Sequence, residues 1–166
     1  TSGNPAIKMD AAGIVTKPLQ PSFLAYPNAE QSNIGTGTTT IEHNTEAFDT
    51  NADFNTGTYT FTAPVTGIYI FTQTLAFGSL QADITMIEPR ITTSNRDYRQ
   101  WNNIVSDWDA NATDYTSKPQ TVIADMDAGD TALSKVGRTG GTSGTDALAT
   151  GAANDPVVHF AGYLLG

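Results

Sequence analysis

The side chains able to do chemistry in this chain fall into four groups, and most lack the company that chemistry needs. Asp107, Asp109 and Asp114 crowd one polar stretch, and Asp125, Asp127 and Asp130 surround one turn. Clustered hard oxygens suit calcium, so the first three are calcium candidates. Neither stretch has the EF-hand spacing, with glycine sixth and glutamate twelfth, and solvated turn acids are the plainer reading. The two histidines, His43 and His159, lie in different segments, and cysteine is absent, so no zinc set of three or four ligands forms. No Gly-x-Ser-x-Gly turn presents a nucleophile to either imidazole. The glycine-rich Gly137–Gly151 stretch lacks the lysine of a phosphate-binding loop. Any two of the seventeen acids could stand at the separation glycoside hydrolysis requires, but nothing selects a pair. The expectation is therefore no enzyme and no cofactor, with calcium as the one ion that has candidates. The fourth group is Tyr98, Trp101, Trp108 and Tyr115, four aromatic residues in a polar background. These are the candidate ligand contacts, because rings stack on sugars and anchor interfaces. The plain alternative is that one Trp and one Tyr pin this segment to the core.

Composition narrows the partners. The 166 residues suit one domain with a short appendage. A net charge of −9 argues against nucleic acid and against an anionic membrane surface. No apolar run approaches the length of about eighteen residues that a spanning helix needs, so membrane insertion is not expected. Only 15% of residues are charged, with threonine, glycine and asparagine in their place, which favours strands and turns.

Those strands centre on residues 49–77. Thr58–Ala63 alternates, with Tyr59, Phe61 and Ala63 on one face and threonines on the other. A Pro-Val-Thr-Gly turn leads into Ile68–Phe77, where Ile68 and Ile70 face one way and Tyr69 and Phe71 the other. The closing strand Val157–Leu165 repeats the pattern: Val158, Phe160 and Leu164 oppose Val157, Ala161, Tyr163 and Leu165. An antiparallel strand that is apolar on both faces needs cover on both. One sandwich core covers only one, which points to subunits packed together. Further strands are expected at Pro21–Tyr26, Thr38–His43, Thr45–Phe48, Thr85–Thr93 with Pro89 at a bulge or edge, Gln120–Met126 and Thr131–Val136. Asn95–Pro119 and Arg138–Asp155 are expected as long loops.

Asp49, Phe54, Phe61, Gly67, Tyr69 and Phe71, with their spacing, resemble the signature of the complement C-one-q globular head, a branch of the tumour necrosis factor-like jelly rolls. His43 and Gln73 depart from it, standing where the family usually carries aromatic side chains. Pro21–Tyr26, Met126–Val136 and Phe160–Leu165 resemble the family's opening strand, late Gly-Asp turn and closing strand. The resemblance implies an all-β, ten-stranded jelly-roll sandwich over residues 21–166, assembled as a homotrimer. Phe23, Tyr69, Phe71, Tyr163 and Leu165 are then the candidates for its core and trimer interface.

Residues 1–20 read as a separate connector, with Ile7, Met9, Ile14 and Val15 around a turn at Asp10–Gly13. Asn4–Pro21 resembles the connector before such heads in bacteriophage fibre proteins, and a disordered terminus is the alternative. Since residue 1 is not methionine, the chain is expected to derive from something longer. If successive strands reverse, Arg138–Asp155, Asn95–Pro119 and the Pro64–Gly67 turn share the end far from the stalk, and Asp127–Asp130 lies at the base. The functional expectation is a trimeric, non-enzymatic head of a viral fibre, on the virion, binding a host-cell glycan or protein receptor through apical loops. A purely structural trimerisation cap and the extracellular head of a secreted bacterial collagen-like protein are the alternatives, and a glycoside hydrolase is a more distant one.

Overall fold

The structure, a computed structural model, describes residues 6–78, 80, 83–103, 115–141, 147–148 and 156–166. Within them are fifteen strands and no helix. They are β1 (Lys8–Met9), β2 (Val15–Thr16), β3 (Ser22–Tyr26), β4 (Gly37–Thr40), β5 (Thr45–Asp49), β6 (Phe54–Asn55), β7 (Thr60–Thr62) and β8 (Gly67–Gly78). There follow β9 (Ile84–Thr93), β10 (Asp97–Arg99), β11 (Asn102–Asn103), β12 (Tyr115–Met126), β13 (Thr131–Gly140), β14 (Ala147–Leu148) and β15 (His159–Leu164). Ten of them run three residues or more, matching the ten-stranded sandwich expected. One sheet has the order β10-β9-β13-β7-β6, with β11 also beside β9 and β4 beside β13. The other has the order β12-β8-β15-β3-β5, with β14 also beside β8. The β1–β2 hairpin is a sheet of its own, its turn held by Asp10 Oδ1, which accepts from the Ala12 and Ile14 amides at 2.9 Å each.

The alternation read from the sequence decides which side chains enter the core. Tyr69, Phe71, Gln73, Leu75 and Phe77 of β8 point inward, Ile70, Thr72 and Thr74 between them are half-buried, and Ala76 is buried. Phe23, Phe54, Phe61, Tyr69, Phe71 and Phe160 meet between the sheets with ring centroids 4.8–6.4 Å apart. Each ring buries a large apolar area and adds edge or offset-stacking energy. Gly162 on β15 makes room for them: a Cβ there would lie 2.5 Å from the Phe23 ring and 2.8 Å from Phe71. A second apolar cluster, around Leu75, Phe77, Ile84, Ile87 and Val136, fills the other end of the sandwich.

A polar belt separates the two clusters. Ser134 Oγ on β13 donates to Gln73 Oε1 on β8 (2.5 Å), Gln73 Nε2 donates to Gln120 Oε1 on β12 (2.7 Å), and Gln120 Nε2 donates to the Tyr98 carbonyl on β10 (2.8 Å). The chain of bonds crosses the core from one sheet to the other and back, so the buried amides are satisfied. His43, at the level of Phe160, is buried with no hydrogen-bond partner for either ring nitrogen. Burial, helped by the charge of His159, pushes its pKa down to about 3.

Three expectations are corrected. Tyr59 has a left-handed backbone (φ 59°) and precedes β7, so the alternation starts at Thr60. Asn55 Oδ1 holds that turn by accepting from the Gly57 and Thr58 amides. Pro89 lies within central β9, between β13 and the β10–β11 strip, and marks neither an edge nor a bulge; the one register shift along the β9–β13 pair falls at Thr139/Gly140. Lacking an amide proton, Pro89 instead coincides with the break between β10 and β11. Finally, the Pro64–Gly67 turn lies at the base. The Gly129 amide donates to the Ala63 carbonyl (2.8 Å) and the Ala128 amide to Thr66 Oγ1 (3.1 Å), joining this turn to the Asp127–Asp130 turn. The cause is one uncounted reversal. Residues 97–103, expected as loop, pair with β9 and turn back at Ser94–Arg96, so every element before them changes ends.

Replacing His43 with Phe should raise stability by about 1–2 kcal/mol in urea unfolding at pH 7, since an apolar ring removes two unsatisfied nitrogens. The folded pKa lies below the unfolded 6.5, so protons favour the unfolded chain as pH falls from 6.5 towards 3. Wild type should lose up to about 1.4 kcal/mol per pH unit in that window through this group, and H43F should not. Gly162→Ala should destabilise by about 2 kcal/mol or more, read as a lower urea midpoint, because its methyl group has two rings to displace.

Candidate functional site

Two surfaces of the sandwich carry the groups that could recognise something. The first is the outer face of the seven-stranded sheet, built from β9 and the β10–β11 strip. Glu88 and Arg90 are two apart on β9 and so share a face, and Arg99 pairs directly with Arg90. The same register puts Trp101 opposite Glu88, in the break between β10 and β11. Glu88 is fully buried beneath two guanidinium groups. Arg99 donates through Nε to Oε1 and through Nη2 to Oε2 (2.9 Å), a two-pronged grip. Arg90 donates through Nη2 to Oε2 (3.0 Å), with its Nε 2.9 Å from Oε1 but not aligned for a hydrogen bond.

Burial pushes the Glu88 carboxyl up, but the hydrogen bonds and charges of Arg99 and Arg90 outweigh it and hold the group below the ordinary carboxylate value. The bond to Glu88 raises Arg99 in turn. Gly137 on β13 permits the arrangement, since a Cβ there would lie 2.9 Å from Arg90 Nη2. The Arg99 guanidinium also sits 5.6 Å from the centroid of Trp101, whose indole is 70% exposed. The cluster fixes two cations and a ring on the outer face of the sheet.

The second surface is the outer face of the six-stranded sheet. Ile123, Ile70 and Tyr163 form one row across β12, β8 and β15, with Ile68 and Leu165 below and Phe48 on the far edge. All but Ile70 are exposed, and Ile70 is partly so. Phe48, Ile70 and Tyr163 surround a shallow concavity of about 200 Å³.

The three described aromatic candidates, Tyr98, Trp101 and Tyr115, do not converge. Tyr98 packs against the aromatic core from β10 and its carbonyl ends the polar belt, so it is the residue that pins the segment. Trp101 stands exposed about midway along β9, not at a loop tip. Tyr115 begins β12 opposite Gly78, at the end of the sandwich far from the termini. Trp108, and the calcium candidates Asp107, Asp109 and Asp114, lie outside the described residues. Among the described residues no three acidic or histidine side chains gather as a metal site. Asp125 and Asp130 are engaged instead, the first with Arg96 and the second with Asn95 Nδ2 and the Asp127 amide. Of the core and interface candidates, Phe23, Tyr69 and Phe71 are buried inside the sandwich, while Tyr163 and Leu165 lie on the outer apolar face. The Glu88–Arg90–Arg99 cluster was not among the candidates. Its one trace in the sequence is the alternation Glu-Pro-Arg, since Arg99 joins only through pairing.

No protein-family model matches this chain, and no curated protein matches it. Solved structures do, and they define the fold as a C-one-q/tumour necrosis factor-like jelly roll. The globular domain of zebrafish complement 1qA protein aligns with TM-score 0.59 and 16% identity, over 89% of this chain and 98% of that one. Murine APRIL at pH 8.5 aligns with TM-score 0.60 and 13% identity, over 88% and 99%. The Eiger TNF of S. frugiperda aligns with TM-score 0.56 and 11% identity, over 88% and 91%.

Glu88→Gln should lower stability by about 2–3 kcal/mol at pH 7, less than for a wholly buried pair because Arg99 is partly solvated. Because the folded pKa is depressed, the carboxylate's contribution is present above the unfolded value and is lost as pH falls through the folded one. The gap between wild type and E88Q in urea titrations should therefore close in acid.

Proposed function

We propose that this chain is the homotrimeric, non-enzymatic head of a viral fibre, carried on the virion, and that it attaches the particle to a host-cell surface. The observation that carries the reading is the apolar outer face of the six-stranded sheet. Ile68, Ile70, Ile123, Phe48, Tyr163 and Leu165 form a contiguous patch on one side of a protein that already has a full core. Exposed patches of this kind mark interaction surfaces. A flat sheet face whose strands end at both termini suits packing about an axis parallel to the strands, and threefold packing is what the jelly-roll likeness favours. The β1–β2 hairpin, with Ile7, Met9, Ile14 and Val15 exposed, would continue the axis towards a stalk. Between it and the base of the sandwich runs an apolar groove of about 460 Å³, bordered by Leu19, Pro21, Pro64, Val65 and Leu164.

Trimerisation multiplies whatever each head contributes, turning weak single contacts into avid attachment. It also leaves the seven-stranded sheet, with its arginines and Trp101, facing outward on every subunit. Light scattering should give a particle of three times the 17.6 kDa chain mass at micromolar concentration. Ile70→Asp, which places a charge in the centre of the patch, should yield a folded monomer. Fluorescent wild-type heads should stain host cells, and I70D should stain them at least about tenfold more weakly through lost avidity. A monomeric wild type would overturn the assembly, and wild-type heads that stain no host cell would overturn attachment.

A further inference from the structure

We infer that the outer face of the seven-stranded sheet around Arg90, Arg99, Lys135 and Trp101 is a binding site for an anionic sugar residue, one bearing a carboxylate or sulfate. This deepens the attachment reading and rests on it. The first support is the placement of charge. The chain has eight cationic side chains and a net charge of −9, yet three of the eight, Lys135, Arg90 and Arg99, stand in one row across β13, β9 and β10. Among the described residues of β9, β10 and β13, the acids on this face are Glu88, buried beneath the guanidinium groups, and Asp97 at the next position outward on β10. Three positive charges against two negative leave this patch positive on an acidic protein, which is the local field that draws an anion.

The second support is the count of donors. Two guanidinium groups offer ten N–H bonds, and the single Glu88 carboxylate has room for about four. Neither Nη1 of Arg90 nor Nη1 of Arg99 donates to Glu88. Glu88 thus orients both forks without exhausting them, and a ligand anion meets donors whose side-chain entropy is already lost.

The third is the indole. Trp101 is 70% exposed and held by Arg99 across the break in the strip, so it offers a fixed apolar face beside the free donors. A ligand that uses both needs an anionic group within one ring's reach of a flat, partly apolar surface, which describes a sugar acid. Thr38, Thr40 and Thr139 flank the row on the same sheet face and supply hydroxyls for the remaining ring oxygens. β10 is the edge strand of its sheet, so an acidic peptide is the competing ligand, but peptide carboxylates bring no ring to lie against the exposed indole.

The test is binding of the wild-type trimer to an array of sialylated, glucuronylated and sulfated glycans beside their neutral parents and a set of Glu-rich peptides. Wild type should prefer acidic glycans over their parents at least about tenfold, with signal falling as salt rises. Trp101→Ala and Lys135→Glu change exposed or half-exposed positions, should leave the trimer folded by light scattering and circular dichroism, and should each lose about tenfold or more. Equal binding to acidic and neutral glycans, stronger binding to the peptides, or full retention of signal in folded W101A would overturn the inference. If host cells are still stained under any of those outcomes, attachment stands and only this site falls. If no cell is stained, the attachment reading falls as well.

Discussion

The structure depends on six aromatic rings packed against one another between the two sheets at their lower end. Phe23 is its hub, stacked within 5.0 Å of Phe54 and Phe61 and edge-on to Phe160. These rings come from five strands between Phe23 and Phe160, so closing the cluster brings distant parts of the topology together at once. Interiors packed at crystal-like density leave no slack for an extra atom. That is why Gly162 lies between Phe23 and Phe71, at a position where a Cβ would strike both rings.

Above the cluster the core changes chemistry, and the change places the surface site. Gln73 and Ser134 stand between the two apolar clusters, and their hydrogen bonds pass through Gln120 to the backbone of β10. β10 is a three-residue strand at the margin of its sheet, in a sequence with no apolar alternation. It is held from inside by the Tyr98 ring and carbonyl and from outside by the Arg99–Glu88 pair. With both fastenings in place, Trp101 emerges at a defined position two residues later. Without the belt, the strip would keep only the Tyr98 ring, the Arg99–Glu88 pair and its short pairing with β9.

The two outer faces then differ in kind. One carries the apolar patch of Phe48, Ile68, Ile70, Ile123, Tyr163 and Leu165; the other carries three of the eight cationic side chains of an acidic molecule in one row. A sandwich built this way can spend one face on copies of itself and keep the other for a different partner. Strict alternation allows it, because the residues between core positions are free to specialise sheet by sheet.

The sequence by itself determined the strand class, the alternation that sorts the residues of β8 and β15 into two apolar faces, and the likeness to C-one-q heads; which of the two faces turns inward it left open. All of these follow from a period of two and from spacings within about thirty residues. It missed β10 and β11, whose polar residues Asp97–Arg99 and Asn102–Asn103 acquire strand geometry only from β9, and with them it missed one reversal of the chain. That single omission put the Pro64–Gly67 turn at the wrong end and spread Tyr98, Trp101 and Tyr115 along the sandwich instead of gathering them at its tip. Only the tertiary structure could bring Arg99 to Glu88 and Gly137 beneath Arg90. Those contacts rest on register between strands distant in sequence, and a local pattern carries which way a side chain points without saying which strand lies next to it.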